Sequence, residues 1–166
     1  MRKQFFIVWL FCFSLSIYGQ KNDLEKQAKI DRVNYLVKSI DSIAREKREG
    51  IIEGVVVYSH GLKKNFGWEA YFLNDENEKR PLRIKYNENK PTGLESLSLY
   101  YHEGELIYSE LIEVVINKKS KPIREIIKRI SFEKGEPLNF DDTLLDRDLF
   151  YILEKEKELL KSIYYK

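Results

Sequence analysis

The hydrophobic positions along the chain change period twice. Leu24, Ala28, Val33, Leu36, Val37, Ile40, Ile43 and Ala44 keep the three-and-four spacing of a helix face and predict a helix over 22–47. Asn22 can cap it, Glu25 stands three residues on as in a capping box, and Gly50 ends it. From residue 51 the period drops to two. Ile52, Val56 and Tyr58 mark a first strand, with Gly54 a bulge candidate, and Trp68 to Phe72 a second. Asn74 to Lys79 reads as a turn, Leu82 to Tyr86 as an alternating third strand, and Asn87 to Gly93 as a loop around Pro91. Leu97, Leu99 and Tyr101 alternate with Ser96, Ser98 and Tyr100 in a fourth strand. Leu106 to Ile116 is apolar on both registers, which predicts a fifth strand that is central or bulged.

Residues 124–132 fit two periods. Ile123, Ile126, Ile127 and Ile130 would suit a helix capped by Ser120. A comparison inside the chain favours a strand. Tyr101-His102-Glu103-Gly104-Glu105-Leu106-Ile107 and Phe132-Glu133-Lys134-Gly135-Glu136-Pro137-Leu138 share one frame, with glycines 31 residues apart. Each has an aromatic three before the Gly, a Glu just after it and an aliphatic three after it. Phe72 to Ile84 is a looser version, so three hairpins of one kind predict a meander. Leu145, Leu149, Ile152, Leu153, Leu159, Leu160 and Ile163 restore the helical period over 142–164. Acids crowd its start and lysines its end, as the helix dipole favours.

The expected fold is therefore α+β. It has an antiparallel β-meander of about six or seven strands over 50–140, an N-terminal helix packed on it and an additional C-terminal helix.

The hairpin frame also carries a resemblance. Tyr100-Tyr101-His102-Glu103-Gly104-Glu105-Leu106 and Ile130-Ser131-Phe132-Glu133-Lys134-Gly135 resemble the repeated Tyr-Tyr-Phe-x-x-Gly-x-Leu hairpins of a group of small exported bacterial proteins. Those proteins also have a signal peptide and an N-terminal amphipathic helix. The chain departs from the pattern at His102, Ser131 and Pro137, and its C-terminal helix looks like an addition. The resemblance implies architecture and export; the motif encodes a turn and carries no chemistry.

Composition sharpens the export reading. Arg2 and Lys3 precede fourteen apolar-rich residues, Phe5 to Tyr18, and Gly19 offers a small residue for cleavage. That stretch falls short of the length needed to span a bilayer, about 20 residues. Residues 1–19 are thus expected to be a signal peptide and 20–166 a single exported domain, periplasmic or extracellular. Trp9-Leu10-Phe11 before Cys12 lacks the small residues of lipoprotein processing. With the leader gone the 29 basic residues fall to 27, equal to the 27 acidic ones, so global charge gives no case for nucleic acid. Met1 and Cys12 leave as well, and with them disulfides, thiolate metal sites and cysteine nucleophiles.

Candidate chemistry is sparse. His60 and His102 are the only imidazoles, and no metal-ligand spacing surrounds them. Ser59 adjoins His60, but neighbouring strand residues point to opposite faces. No cofactor and no enzymatic activity are expected. The basic segment Lys118, Lys119, Lys121, Arg124, Lys128, Arg129 could meet an anionic surface, or simply be solvated. The tyrosines say more. Alternation puts Tyr86 and Tyr101 with core aliphatics, and leaves Tyr71, Arg83, Lys85 and Tyr100 on the other sheet face. Tyr and Arg are the residues that partner surfaces favour. These four are the candidate binding residues, for an envelope protein or polymer. The alternative is a small apolar ligand held between sheet and helix, in a cavity lined by Trp68, Phe72, Ile84 and Tyr101.

Overall fold

A computed structural model describes residues 2–56, 66–75, 80–117, 119, 121–139 and 146–165, with side chains from residue 23 onward. The expectations for Tyr58, Ser59, His60, Lys118, Ser120, Asp141, Asp142 and Leu145 lie outside the described residues, as do those for the side chains of residues 1–22. Helix α1 (Arg2–Glu46) is followed by β1 (Gly50–Val56), β2 (Phe66–Asn74), β3 (Pro81–Lys90) and β4 (Gly93–His102). Then come β5 (Glu105–Ile116), β6 (Pro122–Glu133), the two-residue β7 (Glu136–Pro137) and helix α2 (Asp146–Tyr164). The seven strands lie in sequence order in one sheet, every neighbouring pair antiparallel. This is the α+β meander with two helices that the periods predict, and residues 124–132 are strand; α1 runs through Asn22, which lies inside the helix and does not begin it.

The repeated hairpin frame is one turn used twice. Glu103 and Gly104 have φ of 54° and 84°, Lys134 and Gly135 of 52° and 81°. Positive φ at both central residues is the two-residue turn whose twist matches the flanking strands, and the glycine makes it accessible. The predicted loop from Asn87 is shorter than expected. β3 runs on to Lys90, and only Pro91 and Thr92 separate it from β4. Gly54 is not a bulge: it stands in regular register opposite Trp68, and a β-carbon there would come within 2.6 Å of the indole.

The sheet has two unlike faces. On one, Ala70, Ile84, Tyr86, Leu97, Leu99, Tyr101, Leu111, Ile130 and Phe132 are buried together with Ile152 and Leu159 of α2. Burying each such aliphatic contributes about 1.5–3 kcal/mol. Polar ties fix the helix as well. Tyr151 donates to Glu95 and Tyr164 to Asn74, and Lys128 bridges Asp148 at 2.9 Å. On the opposite face α1 packs with Val37, Ile40, Ile43 and Ala44 against Leu73, Leu82, Tyr100, Ile107 and Tyr108. Two register shifts supply part of that contact. Leu73 pairs with Arg83 and Asn74 with Pro81, leaving Leu82 over; Tyr100 pairs with Tyr108 and Tyr101 with Leu106, leaving Ile107 over. An extra residue in one strand re-aims side chains, and both extra residues pack with α1. Leu82 thus does not share the face of Ile84 as plain alternation would have it.

Among the described residues, no helix is long and apolar enough to cross a membrane.

Candidate functional site

The face toward α1 is best read as rows of directly opposed residues. Nearest the β4–β5 turn, Leu73, Arg83, Tyr100, Tyr108 and Ser131 form one row. The next is Ile51, Tyr71, Lys85, Ser98, Glu110 and Arg129. A third is Glu53, Glu69, Asn87, Ser96, Ile112 and Ile127. The four candidate residues therefore share a face, as alternation predicts, but occupy two rows with different fates.

Arg83 and Tyr100 are not open to a partner: they are 6% and 5% exposed. Here the expectation of an outer surface is corrected, because α1 lies over that end of the sheet. Arg83 Nη1 donates to Asp41 Oδ1 at 2.5 Å and Nη2 to Glu49 Oε1 at 2.8 Å, while the Tyr100 hydroxyl donates to Asp41 Oδ1 at 3.0 Å. Burial alone would lower the Arg83 pKa, but the hydrogen bonds to Glu49 and Asp41 and their charges outweigh it and hold it above its ordinary value. Burial, then the Asp41 charge, pushes the Tyr100 phenol up. The Tyr100 ring meets Tyr108 edge-on, with centroids 5.7 Å apart. This row is a polar seam between α1 and the sheet.

Tyr71 and Lys85 stand one row further out and are half-buried. Tyr71 donates to Glu69 Oε2 at 3.1 Å. Its phenol is raised first by that hydrogen bond, then by the Glu69 charge, with smaller effects of burial and of Glu49 and Glu53. Lys85 makes no ion pair among the described residues.

Beyond them, where α1 no longer reaches, an open groove of about 770 Å³ crosses the sheet. Its polar strip is a hydrogen-bonded series: Ser96 Oγ donates to Asn87 Oδ1 at 2.8 Å, and Asn87 Nδ2 to Glu69 Oε1 at 3.2 Å. Val55, Leu94, Ile112 and Val114 supply its apolar lining. Val55 and Leu94 are 60% and 49% exposed, and Ile51 and Ile127 on the same face are also open. Single exposed aliphatics are ordinary, and here several stand on one sheet face around a groove. Sequence reasoning placed Trp68, which also lines the groove, only in an internal cavity, and passed over the aliphatic and acidic residues around it. Ile and Val on both registers of β1, Ile51 and Val55 on one and Ile52 and Val56 on the other, were the available signal.

The remaining candidates do not converge. His102 sits beside Glu103 at 3.9 Å on the β4–β5 turn. No group of three or more metal-ligating side chains occurs among the described residues. Of the basic segment, Lys128 is engaged by Glu113 and Asp148, and Arg129 by Glu110 at 2.5 Å. Of the four residues expected to line a ligand cavity, Ile84 and Tyr101 are buried and Trp68 and Phe72 half-buried in the one cluster that α2 covers.

The chain has no significant match among protein-family models, curated proteins or solved structures.

Proposed function

We propose that this is an exported, non-enzymatic binding protein of the bacterial envelope, which recognises a partner protein through the end of the sheet face that α1 leaves open. Tyr71 and Lys85 border that surface, and the groove beside them forms its centre. Arg83 and Tyr100 act indirectly, by fixing α1 and so setting where the open surface begins. The observation that carries the reading is the contrast within one face. One end is sealed by a helix, and the other leaves Ile51, Val55, Leu94 and Ile127 exposed around a groove.

Photo-crosslinking in the native envelope tests it. A crosslinking side chain at Val55 is expected to give a discrete adduct, competed by added purified protein. The same side chain at Phe150, exposed on α2, is expected to give none. Equal adducts from both positions, or none from Val55, would contradict the proposal.

A further inference from the structure

The strand that begins the sheet indicates what such a partner offers. β1 pairs with β2 on one side and borders no other strand among the described residues. An edge of this kind presents unpaired backbone groups to another chain, and proteins ordinarily blunt it with Pro, a bulge or charged side chains, especially Lys. β1 reads Gly50-Ile51-Ile52-Glu53-Gly54-Val55-Val56, in unbroken register, with no Pro, Lys or bulge and with Glu53 as its one charge. Its exposed side chains, Ile51, Glu53 and Val55, all stand on the groove face.

Charge indicates the kind of strand that fits. Glu53 lies directly opposite Glu69, and like charges so placed repel. Glu69 accepts from Tyr71 and Asn87, which are both neutral, and neither carboxylate meets a cation among the described residues. Four glutamates and no Lys or Arg line the groove among those residues. Of the other two, Glu95 is held by Lys90 and Tyr151, and Glu88 accepts from Tyr86 at 2.6 Å. The uncompensated charge of the groove is therefore local to the free edge.

We propose that the outer edge of β1 takes an extended peptide segment of a partner protein, with a Lys or Arg flanked by aliphatic residues at alternate positions. This rests on the reading of the open face as a binding surface and names the chemistry of its partner. Strand addition supplies backbone hydrogen bonds, and alternate side chains supply selectivity. A strand continuing the pleat sets every second side chain beside Ile51, Glu53 and Val55, so the matching order is aliphatic, basic, aliphatic. The cation then lies against the Glu53–Glu69 pair and relieves its repulsion.

The test is an NMR titration of the ¹⁵N-labelled protein with two synthetic heptapeptides, Thr-Val-Thr-Lys-Thr-Val-Thr and its counterpart with Glu in place of Lys. The Lys peptide is expected to shift the amides of residues 50–56 and the Trp68 indole, which lies against Gly54. The Glu peptide is expected to bind on the order of tenfold more weakly. Salt should narrow the difference, and Glu53→Lys should reverse it. Equal responses to the two peptides, no response in β1, or an unchanged preference in Glu53→Lys would overturn the proposal. Shifts in β1 that follow protein concentration without peptide would identify a second copy of this chain as the occupant, and would also overturn it. Crosslinks from Val55 without selectivity for the Lys peptide would leave the binding surface standing and remove the basic strand alone.

Discussion

The two ends of the α1 face are built from the same strands and carry similar polar side chains, yet their charges are balanced in opposite ways. At the covered end, Asp41 and Glu49 flank Arg83, and Tyr100 adds a hydroxyl to Asp41. Every carboxylate in that seam has a cation or a strong donor. At the open end, Glu53 faces Glu69 across the β1–β2 ladder. A helix that covers a sheet must neutralise what it buries, because an unpaired buried charge is costly. An open surface faces no such demand and can hold charge in reserve for a partner. Position under α1 therefore separates polar residues neutralised within the fold from those left open on its surface, where residue type alone does not.

The contrast can be broken most strongly at its two tyrosines. Tyr100→Ala removes a buried ring and should cost about 3 kcal/mol in denaturant unfolding. Tyr71→Ala on the next row should leave the unfolding midpoint nearly unchanged and weaken partner capture. Removal of an acid should have opposite signs at the two ends. Asp41→Ala strips an acceptor from both Arg83 and Tyr100, and should cost about 1–2 kcal/mol given its partial exposure. Glu53→Gln should instead stabilise the protein by about 0.5 kcal/mol, less in high salt. A loss of stability in Glu53→Gln would mean that this carboxylate is structural.

The smallest effect lies on the face under α2. The Tyr101 hydroxyl is buried close to the Glu156 carboxylate, short of hydrogen-bonding geometry. Burial raises the Glu156 pKa, and the Tyr101 hydroxyl and the Lys157 charge offset this only in part. The folded state thus holds that proton more tightly than the unfolded chain does. Stability should rise as pH falls through the raised value toward the ordinary glutamate range, with the full penalty present above it. Glu156→Gln should remove that component of the pH profile, measured by thermal unfolding at a series of pH values.

The sheet could be read from the chain because its periods are local. Alternation placed Tyr86 and Tyr101 in the core, and the shared frame around Gly104 and Gly135 fixed two turns of one type. The bulges at Leu82 and Ile107 left no such mark, since an extra residue in a strand has no compositional signature. Arg83 and Tyr100 were put on the right face but not under a helix. Which face α1 covers depends on packing between distant segments, and the period of either segment is silent about it. The Glu53–Glu69 pair was hidden for a related reason. Its register is set across the β1–β2 connection, and the number of residues in that connection does not reveal which residues will oppose each other.

Hydroxyl-radical footprinting, compared between the purified protein and the protein in a gently prepared native envelope fraction, tests the central claim most directly. The account predicts loss of labelling at Ile51, Val55 and Leu94 in the native fraction, with Tyr35 on α1 and Phe150 on α2 unchanged. Labelling that stays the same at Ile51, Val55 and Leu94, or falls equally on the two helices, would contradict it.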